Sequence, residues 1–165
     1  MSLTFLLGGA RSGKSTLAVE LATQAGGDVV FIATGEARDH EMAERIALHR
    51  AERPDHWRTV EEPADLAAAL ATTDGVAVVD CLSLWVANLL ERRDDVEARN
   101  REALACAAQR TGSTIVVSNE VGLGVVPATP LGRTYRDVLG RVNADWAAAA
   151  DEAFFVVAGR RLELR

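Results

Sequence analysis

The most informative part of the sequence is Gly8-Gly9-Ala10-Arg11-Ser12-Gly13-Lys14-Ser15, which matches the phosphate-loop pattern G-x-x-x-x-G-K-[ST] at every fixed position. An apolar run at residues 3–7 precedes it and predicts a buried strand, and residues 16–22 after it predict a helix. In such a loop the backbone N–H groups and the helix N-terminus attract phosphate. The alternative is a chance glycine turn before a helix, but the complete motif and its two flanking elements favour the phosphate loop. The sequence therefore predicts a nucleoside triphosphate site, in which Lys14 reaches the outer phosphates and Ser15 helps to hold Mg²⁺.

The composition sets limits on the class of protein. The 165 residues are enough for one domain, 1–165, with its own core, and a net charge of −6 argues against a nucleic-acid-binding protein. No apolar run approaches the ~20 residues of a membrane helix, and the N-terminal residues do not resemble a signal peptide. Cys81 and Cys106 are isolated, and we expect buried thiols rather than a disulfide. These features predict a cytoplasmic protein without a membrane span.

Apolar runs alternate with helical segments along the whole chain. The runs at 28–33, 76–80 and 114–118 lack polar alternation, which is typical of central parallel strands. A short strand is predicted at 56–60, and a final strand at 152–158 is followed by an antiparallel return. Helices are predicted at 64–71, at 82–90 with Trp85 in the core, and from 133 to about 150. This order predicts a three-layer α/β domain around a mostly parallel sheet, with the polar residues that follow the strands meeting at one edge.

Polar residues follow the strands at three further places. Thr34-Gly35-Glu36 follows the second strand and indicates part of the nucleotide site, although a plain turn has the same composition. Asp80 ends an apolar strand in the manner of a Walker B carboxylate that orders Mg²⁺, and capping of the next helix is the alternative. Asn119-Glu120 opens a long glycine-containing loop on the same edge of the sheet.

A helix is predicted over residues 39–53, because an aspartate can cap its start and a proline follows its basic end. Glu41, Arg45, His49 and Arg53 recur at every fourth position and line one strip of this helix. From the spacing alone, a solvated face is the simpler interpretation of this strip. A functional site containing the imidazole is the alternative.

Residue chemistry alone leaves two function classes open. One is a transferase that moves a phosphoryl or nucleotidyl group to a small molecule, and the other is a nucleotide-driven switch or motor. The chain is small and acidic and we expect no added effector domain, which favours the transferase. The guanine-reading N-K-x-D element of switch GTPases is absent from the sequence.

Five further stretches, taken in order with the phosphate loop, resemble one known family. They are residues 32–34, 41–50, 53–59, 119–127 and 140–143. The family is the bifunctional adenosylcobinamide kinase/adenosylcobinamide-phosphate guanylyltransferase of cobalamin assembly, and the resemblance covers nearly the whole chain. It implies a RecA-like phosphate-loop domain that assembles as a homotrimer. It also implies phosphorylation of a corrinoid, adenosylcobinamide, from ATP or GTP, followed by GMP transfer from GTP with release of pyrophosphate.

The resemblance also implies roles for individual residues. His49 matches the histidine that carries the guanylyl group, and Lys14 is the second expected catalytic residue. Ser15 and Asp80 are the expected Mg²⁺ ligands. Nucleotide contacts are implied for the whole phosphate loop and for Thr34, Gly35, Glu36, Arg50, Ala51, Glu52, Arg53, Glu61 and Asp80. A guanylyltransferase without kinase activity and a non-catalytic nucleotide-binding regulator are the alternatives.

Overall fold

The computed structural model describes residues 2–51 and 53–165, except for the side chains of Glu41 and Arg45. Within these residues the chain forms seven strands and six helices. In chain order they are β1 (Leu3–Gly8), α1 (Lys14–Ala25), β2 (Val29–Ala33), α2 (His40–Ala51), β3 (Arg58–Glu61), α3 (Leu66–Ala71), β4 (Val76–Asp80), α4 (Leu82–Arg92), α5 (Val96–Gln109), β5 (Thr114–Asn119), α6 (Pro130–Ala149), β6 (Glu152–Val157) and β7 (Arg160–Leu164).

The strands form one sheet in the order β3-β2-β4-β5-β1-β6-β7. Every neighbouring pair is parallel except β6 and β7, which form an antiparallel hairpin. The predicted mostly parallel sheet and antiparallel return are therefore confirmed. In the register, Gly8 lies beside Asn119 and Asp80 lies beside Val117, so that β1, β5 and β4 end at the same edge.

Helices cover both faces of the sheet and complete the predicted three layers. On one face, α1 contributes Ala18 and Ala22 to a buried cluster that includes Phe31. On the other face, α3 to α6 pack around Trp85 and Trp146, both of which are fully buried. The prediction that Trp85 belongs to the core is confirmed.

Local hydrogen bonds explain where some elements differ from the predicted boundaries. The helix α6 begins at Pro130 rather than Arg133, because the Thr129 hydroxyl caps it and proline suits a first helical turn. The helix α3 begins two residues later than predicted, because Asp65 accepts the N–H of Ala68 as its cap. The strand β3 begins at Arg58, because residues 54–57 form a turn instead of continuing the strand.

Both cysteines are free thiols, but only Cys81 is buried as predicted, whereas Cys106 is partly exposed. Burial, helped by the neighbouring charge of Asp80, raises the pKa of the Cys81 thiol to about 11. Cys81 is therefore a neutral thiol at physiological pH. No helix in the described part of the chain is both long and apolar enough to span a bilayer.

Candidate active site

Two glycines shape the phosphate loop between β1 and α1. A Cβ atom on Gly8 would lie 2.2 Å from the carbonyl oxygen of Val156, so only glycine fits where β1 passes β6. Gly13 has a φ of 100°, in the left-handed region that favours glycine. These two positions allow the chain to curl tightly before it enters α1.

Lys14 is buried in the first turn of α1. Its ammonium donates to the Gly9 carbonyl oxygen at 2.5 Å and lies 3.3 Å from the Ser12 hydroxyl. The side chain is thus folded back over the phosphate loop. A bound phosphate would offer this ammonium a charged acceptor. A hydrogen bond to a charged acceptor is stronger than one to a neutral carbonyl oxygen such as that of Gly9.

His49 reaches the same edge of the sheet from α2. Its Nδ1 lies 3.8 Å from Oδ2 of Asp80, at the end of β4. The His49 side chain is 35% exposed and that of Asp80 is 16% exposed, so the imidazole is open to solvent while the carboxylate is largely covered. At His49, therefore, the strip on α2 approaches a largely covered carboxylate instead of facing solvent alone.

Asp80 is the electrostatic centre of this site. Burial raises the pKa of its carboxyl, and the nearby charges of His49, Arg53 and Lys14 oppose that rise. A hydrogen bond with Ser15 also opposes the rise in this pKa. One carboxylate therefore interacts with the phosphate loop, with α2 and with the segment that follows α2.

Arg53 is held against the sheet beside Asp80. The central carbon of its guanidinium lies 3.4 Å from the ring centroid of Phe31, and its Nη1 donates to the Thr59 hydroxyl at 3.4 Å. Stacking of this kind fixes an arginine while leaving its charge intact. The arrangement keeps a cation within electrostatic range of the Asp80 carboxylate.

Thr34 is completely buried and joins the ends of β2 and β4. Its hydroxyl donates to the Cys81 carbonyl oxygen at 2.7 Å and accepts the Cys81 N–H at 2.9 Å. Its own N–H donates to the Asp80 carbonyl oxygen, and Asn88 donates to the Thr34 carbonyl oxygen. Thr34 thus supports the backbone at Asp80 from inside the protein.

The neighbours of Thr34 face α4. A Cβ atom on Gly35 would contact the Leu84 side chain. Glu36 pairs with Arg38 and with Arg92, at the end of α4, and the hydrogen bond from Arg38 is the main reason that the Glu36 pKa is lowered. Glu36 therefore belongs to an ion-pair cluster at the end of α4. This cluster contains none of the residues that shift the pKa of Asp80.

Three of the remaining predicted nucleotide residues are exposed. Arg50 and Ala51 lie in the last turn of α2, and Glu61 lies at the end of β3, paired with Ala33 at the end of β2. Glu52 lies outside the described residues.

Two polar residues at the end of β5, Asn119 and Glu120, lie beside the phosphate loop but are absent from the predicted site residues. The Glu120 N–H donates to the Gly8 carbonyl oxygen at 3.0 Å, which ties this segment to the phosphate loop. Asn119 donates to the Ser83 hydroxyl at 3.0 Å. Their place at the carboxyl end of a buried strand is the signal in the sequence that points to them.

The donors near the loop fit a Mg²⁺ that arrives with a nucleotide. Among the described residues, no cluster of three or more His, Cys, Asp or Glu side chains could hold a metal by itself. Ser15 and Asp80 instead offer a hydroxyl and a carboxylate. Mg²⁺ is usually held by one or two carboxylates together with substrate phosphates and water, which agrees with this small donor set.

Comparison with known protein families matches residues 4–164 to the family described as cobinamide kinase / cobinamide phosphate guanyltransferase. This chain belongs to that family. The match spans nearly the whole sequence and confirms the family that the phosphate loop and the five further stretches indicate. The cobinamide kinase / guanyltransferase family is a family of transferases, as the sequence predicts.

Curated relatives support the same family. The bifunctional adenosylcobalamin biosynthesis protein CobP of Pseudomonas aeruginosa is 47% identical over 165 residues, covering 97% of this chain and 95% of the relative. The bifunctional adenosylcobalamin biosynthesis protein CobU of Escherichia coli is 39% identical over 181 residues, covering 99% of each. The similarity to these relatives therefore extends over nearly the whole length of both chains.

Solved structures support the RecA-like fold of this family member. One solved ATPase domain has a TM-score of 0.52 at 13% identity, covering 93% of this chain and 68% of that chain. The RadB recombinase has a TM-score of 0.50 at 18% identity, covering 93% of this chain and 73% of that chain. At these identities the similarity concerns the fold alone.

Proposed function

We propose that this protein has both activities of its family. It phosphorylates the aminopropanol hydroxyl of adenosylcobinamide and then transfers GMP from GTP to adenosylcobinamide phosphate, giving adenosylcobinamide-GDP and pyrophosphate. The observation that supports the transfer most directly is the 3.8 Å approach of His49 Nδ1 to Asp80 Oδ2 beside the phosphate loop. The names of the curated relatives support the combination of two activities.

In the transfer, His49 is the nucleophile that takes GMP. Asp80 near Nδ1 favours the tautomer with its proton on Nδ1, which leaves the lone pair of Nε2 for attack on the α-phosphorus of GTP. The Nε2–phosphorus bond forms, the bond between the α-phosphorus and the α–β bridging oxygen breaks, and pyrophosphate leaves with the electron pair. The phosphate of adenosylcobinamide phosphate then displaces His49. A covalent intermediate divides one difficult transfer into two easier ones.

Cations and N–H groups stabilise the charge that develops on pyrophosphate. The backbone of the phosphate loop and the Lys14 ammonium supply hydrogen-bond donors, and Arg53 adds a fixed positive charge. Ser15 and Asp80 would hold Mg²⁺, which supplies further positive charge to the phosphates when it is bound. We place GTP in this site for the transfer, and either ATP or GTP for the phosphorylation.

We also place the nucleotide at this edge of the sheet. We propose that Arg50, Ala51, Glu52 and Glu61 border the nucleotide, together with the Thr34-Gly35-Glu36 segment. Thr34 contributes by supporting the backbone at Asp80, because its hydroxyl is already bonded to Cys81. Glu36 borders the nucleotide from its ion-pair cluster at the end of α4.

We further propose that residues 1–165 form one catalytic domain that works as a cytoplasmic homotrimer on nucleotides and a corrinoid, without binding nucleic acid. The net charge of −6 supports the last point, and the family resemblance supports the trimer. Light scattering at micromolar concentration is expected to give three times the subunit mass of 17.6 kDa. A mass equal to that of one subunit would contradict the trimer.

The proposed pair of activities is tested by product analysis. With GTP and Mg²⁺, the protein is expected to convert both adenosylcobinamide and adenosylcobinamide phosphate to adenosylcobinamide-GDP, with release of pyrophosphate. Conversion of the phosphate alone would identify a guanylyltransferase without kinase activity. Binding of GTP without any pyrophosphate would identify a nucleotide-binding regulator.

A further inference from the structure

A cavity of about 320 Å³ lies beside the phosphate loop, over the end of β1. Its walls include residues 9–12 of the loop, the end of β6, and Glu120 and Leu123 from the segment that follows β5. Asp80 ends β4, which is separated from β1 by β5, and neither Asp80 nor His49 lines this cavity. The phosphate loop therefore borders a space that the His49–Asp80 pair does not share.

Glu120 is the one carboxylate among the described residues that line this cavity. Its backbone N–H donates to the Gly8 carbonyl oxygen, which fixes the residue to the phosphate loop. Its Oε1 accepts the N–H of Gly122, so the carboxylate is oriented by its own loop. Oε2 is then the oxygen that can receive a proton from a bound group.

Exposed apolar side chains continue from the cavity along the same segment. Leu123 lines the cavity and is 81% exposed, and Val125 is 95% exposed. Leu131, at the start of α6, is 70% exposed. Exposed apolar side chains next to a cavity are typical of a surface that contacts a ligand or another protein. Beside a phosphate site, they suit a bulky acceptor that carries a hydroxyl on a flexible arm.

We propose that this cavity receives the hydroxyl-bearing arm of the acceptor during phosphorylation, and that Glu120 is the catalytic base. The inference rests on the proposed kinase activity. The hydroxyl oxygen attacks the γ-phosphorus, the bond from the γ-phosphorus to the β–γ bridging oxygen breaks, and the nucleoside diphosphate leaves with the electron pair. The hydroxyl proton moves to Oε2 of Glu120. One phosphate loop then serves phosphorylation at this cavity and nucleotidyl transfer at His49.

Two assays on Glu120→Gln separate this role from the rest of the site. The first measures phosphorylation of adenosylcobinamide from γ-labelled ATP, and the second measures GMP transfer from GTP to preformed adenosylcobinamide phosphate. Because glutamine has nearly the same shape but is not a base, kcat for phosphorylation is expected to fall roughly a hundredfold or more. KM for adenosylcobinamide and the rate of GMP transfer are expected to change little. Glu120→Asp, which retains a carboxylate, is expected to recover part of the kcat.

The matched control is Glu152→Gln, the same chemical change at an exposed position at the opposite end of the sheet, which should alter neither assay. Phosphorylation by Glu120→Gln at the wild-type rate would overturn the inference. Loss of both activities would also overturn it, because Glu120 would then act through the shape of the phosphate loop. A wild-type protein that transfers GMP but phosphorylates nothing would overturn the proposed kinase activity itself, and this inference with it.

Discussion

The His49→Ala variant is expected to take up no label from α-labelled GTP, whereas the wild-type protein becomes covalently labelled. The reason is that His49 is the imidazole whose Nδ1 lies 3.8 Å from Asp80, beside the phosphate loop. Its removal deletes the nucleophile but leaves Lys14 and the loop in place, so the variant should still fold and bind GTP. The measurement is radioactivity retained on the denatured protein, with GTP binding followed separately by calorimetry.

The chemistry of the bond identifies the residue type. A phosphorus–nitrogen bond is labile in acid and stable in alkali, unlike a serine ester, so the label should be lost on acid treatment only. Label from γ-labelled GTP should not be retained, because the γ-phosphate leaves within pyrophosphate. Retention of the γ-label would indicate phosphorylation of the protein instead of guanylylation.

Two other histidines provide matched controls for this prediction. His40 lies on the same helix, but it is 88% exposed and pairs with Glu44. His56 is exposed ahead of β3. His40→Ala and His56→Ala are each expected to label like the wild type. A labelled His49→Ala protein would show that another nitrogen carries GMP and that His49 has a different role.

The sequence predicts the fold well because its main signals are local. The phosphate loop occupies consecutive residues, and the central strands are continuous apolar runs because both faces of the sheet are covered. The start of α6 is also a local signal, but it depends on recognising Thr129 and Pro130 as a capped first turn. Element boundaries are therefore predicted less accurately than the elements themselves.

The candidate site is harder to predict because its contacts join distant parts of the chain. The spacing on α2 identifies a charged strip, but only the packing of α2 over the end of β4 brings His49 to Asp80. The buried position of Thr34 depends on the pairing of β2 with β4. The stacking of Arg53 on Phe31 likewise joins a loop to a strand. No local pattern encodes these contacts, so the family resemblance was needed to single out His49.

The Lys14→Ala variant is expected to weaken nucleotide binding at least tenfold. A hydrogen bond to a charged group contributes roughly 1.5–3 kcal/mol, and about 1.4 kcal/mol corresponds to tenfold in affinity. In the structure the ammonium already lies over the loop, 2.5 Å from the Gly9 carbonyl oxygen, so it needs only a small movement to meet a phosphate. Calorimetric titration with GTP and Mg²⁺ measures the loss, and thermal unfolding shows whether the variant remains folded.

Lys14 is the only lysine in the chain, which allows a second and independent test on the unaltered protein. Reductive methylation with isotopically labelled formaldehyde should produce a single lysine side-chain signal in the NMR spectrum. Saturating GTP and Mg²⁺ are expected to slow the methylation, because the ammonium would then be bonded to phosphate and covered by the nucleotide. An affinity that is unchanged in Lys14→Ala, together with methylation that GTP does not slow, would contradict the assignment of residues 8–15 as the triphosphate site.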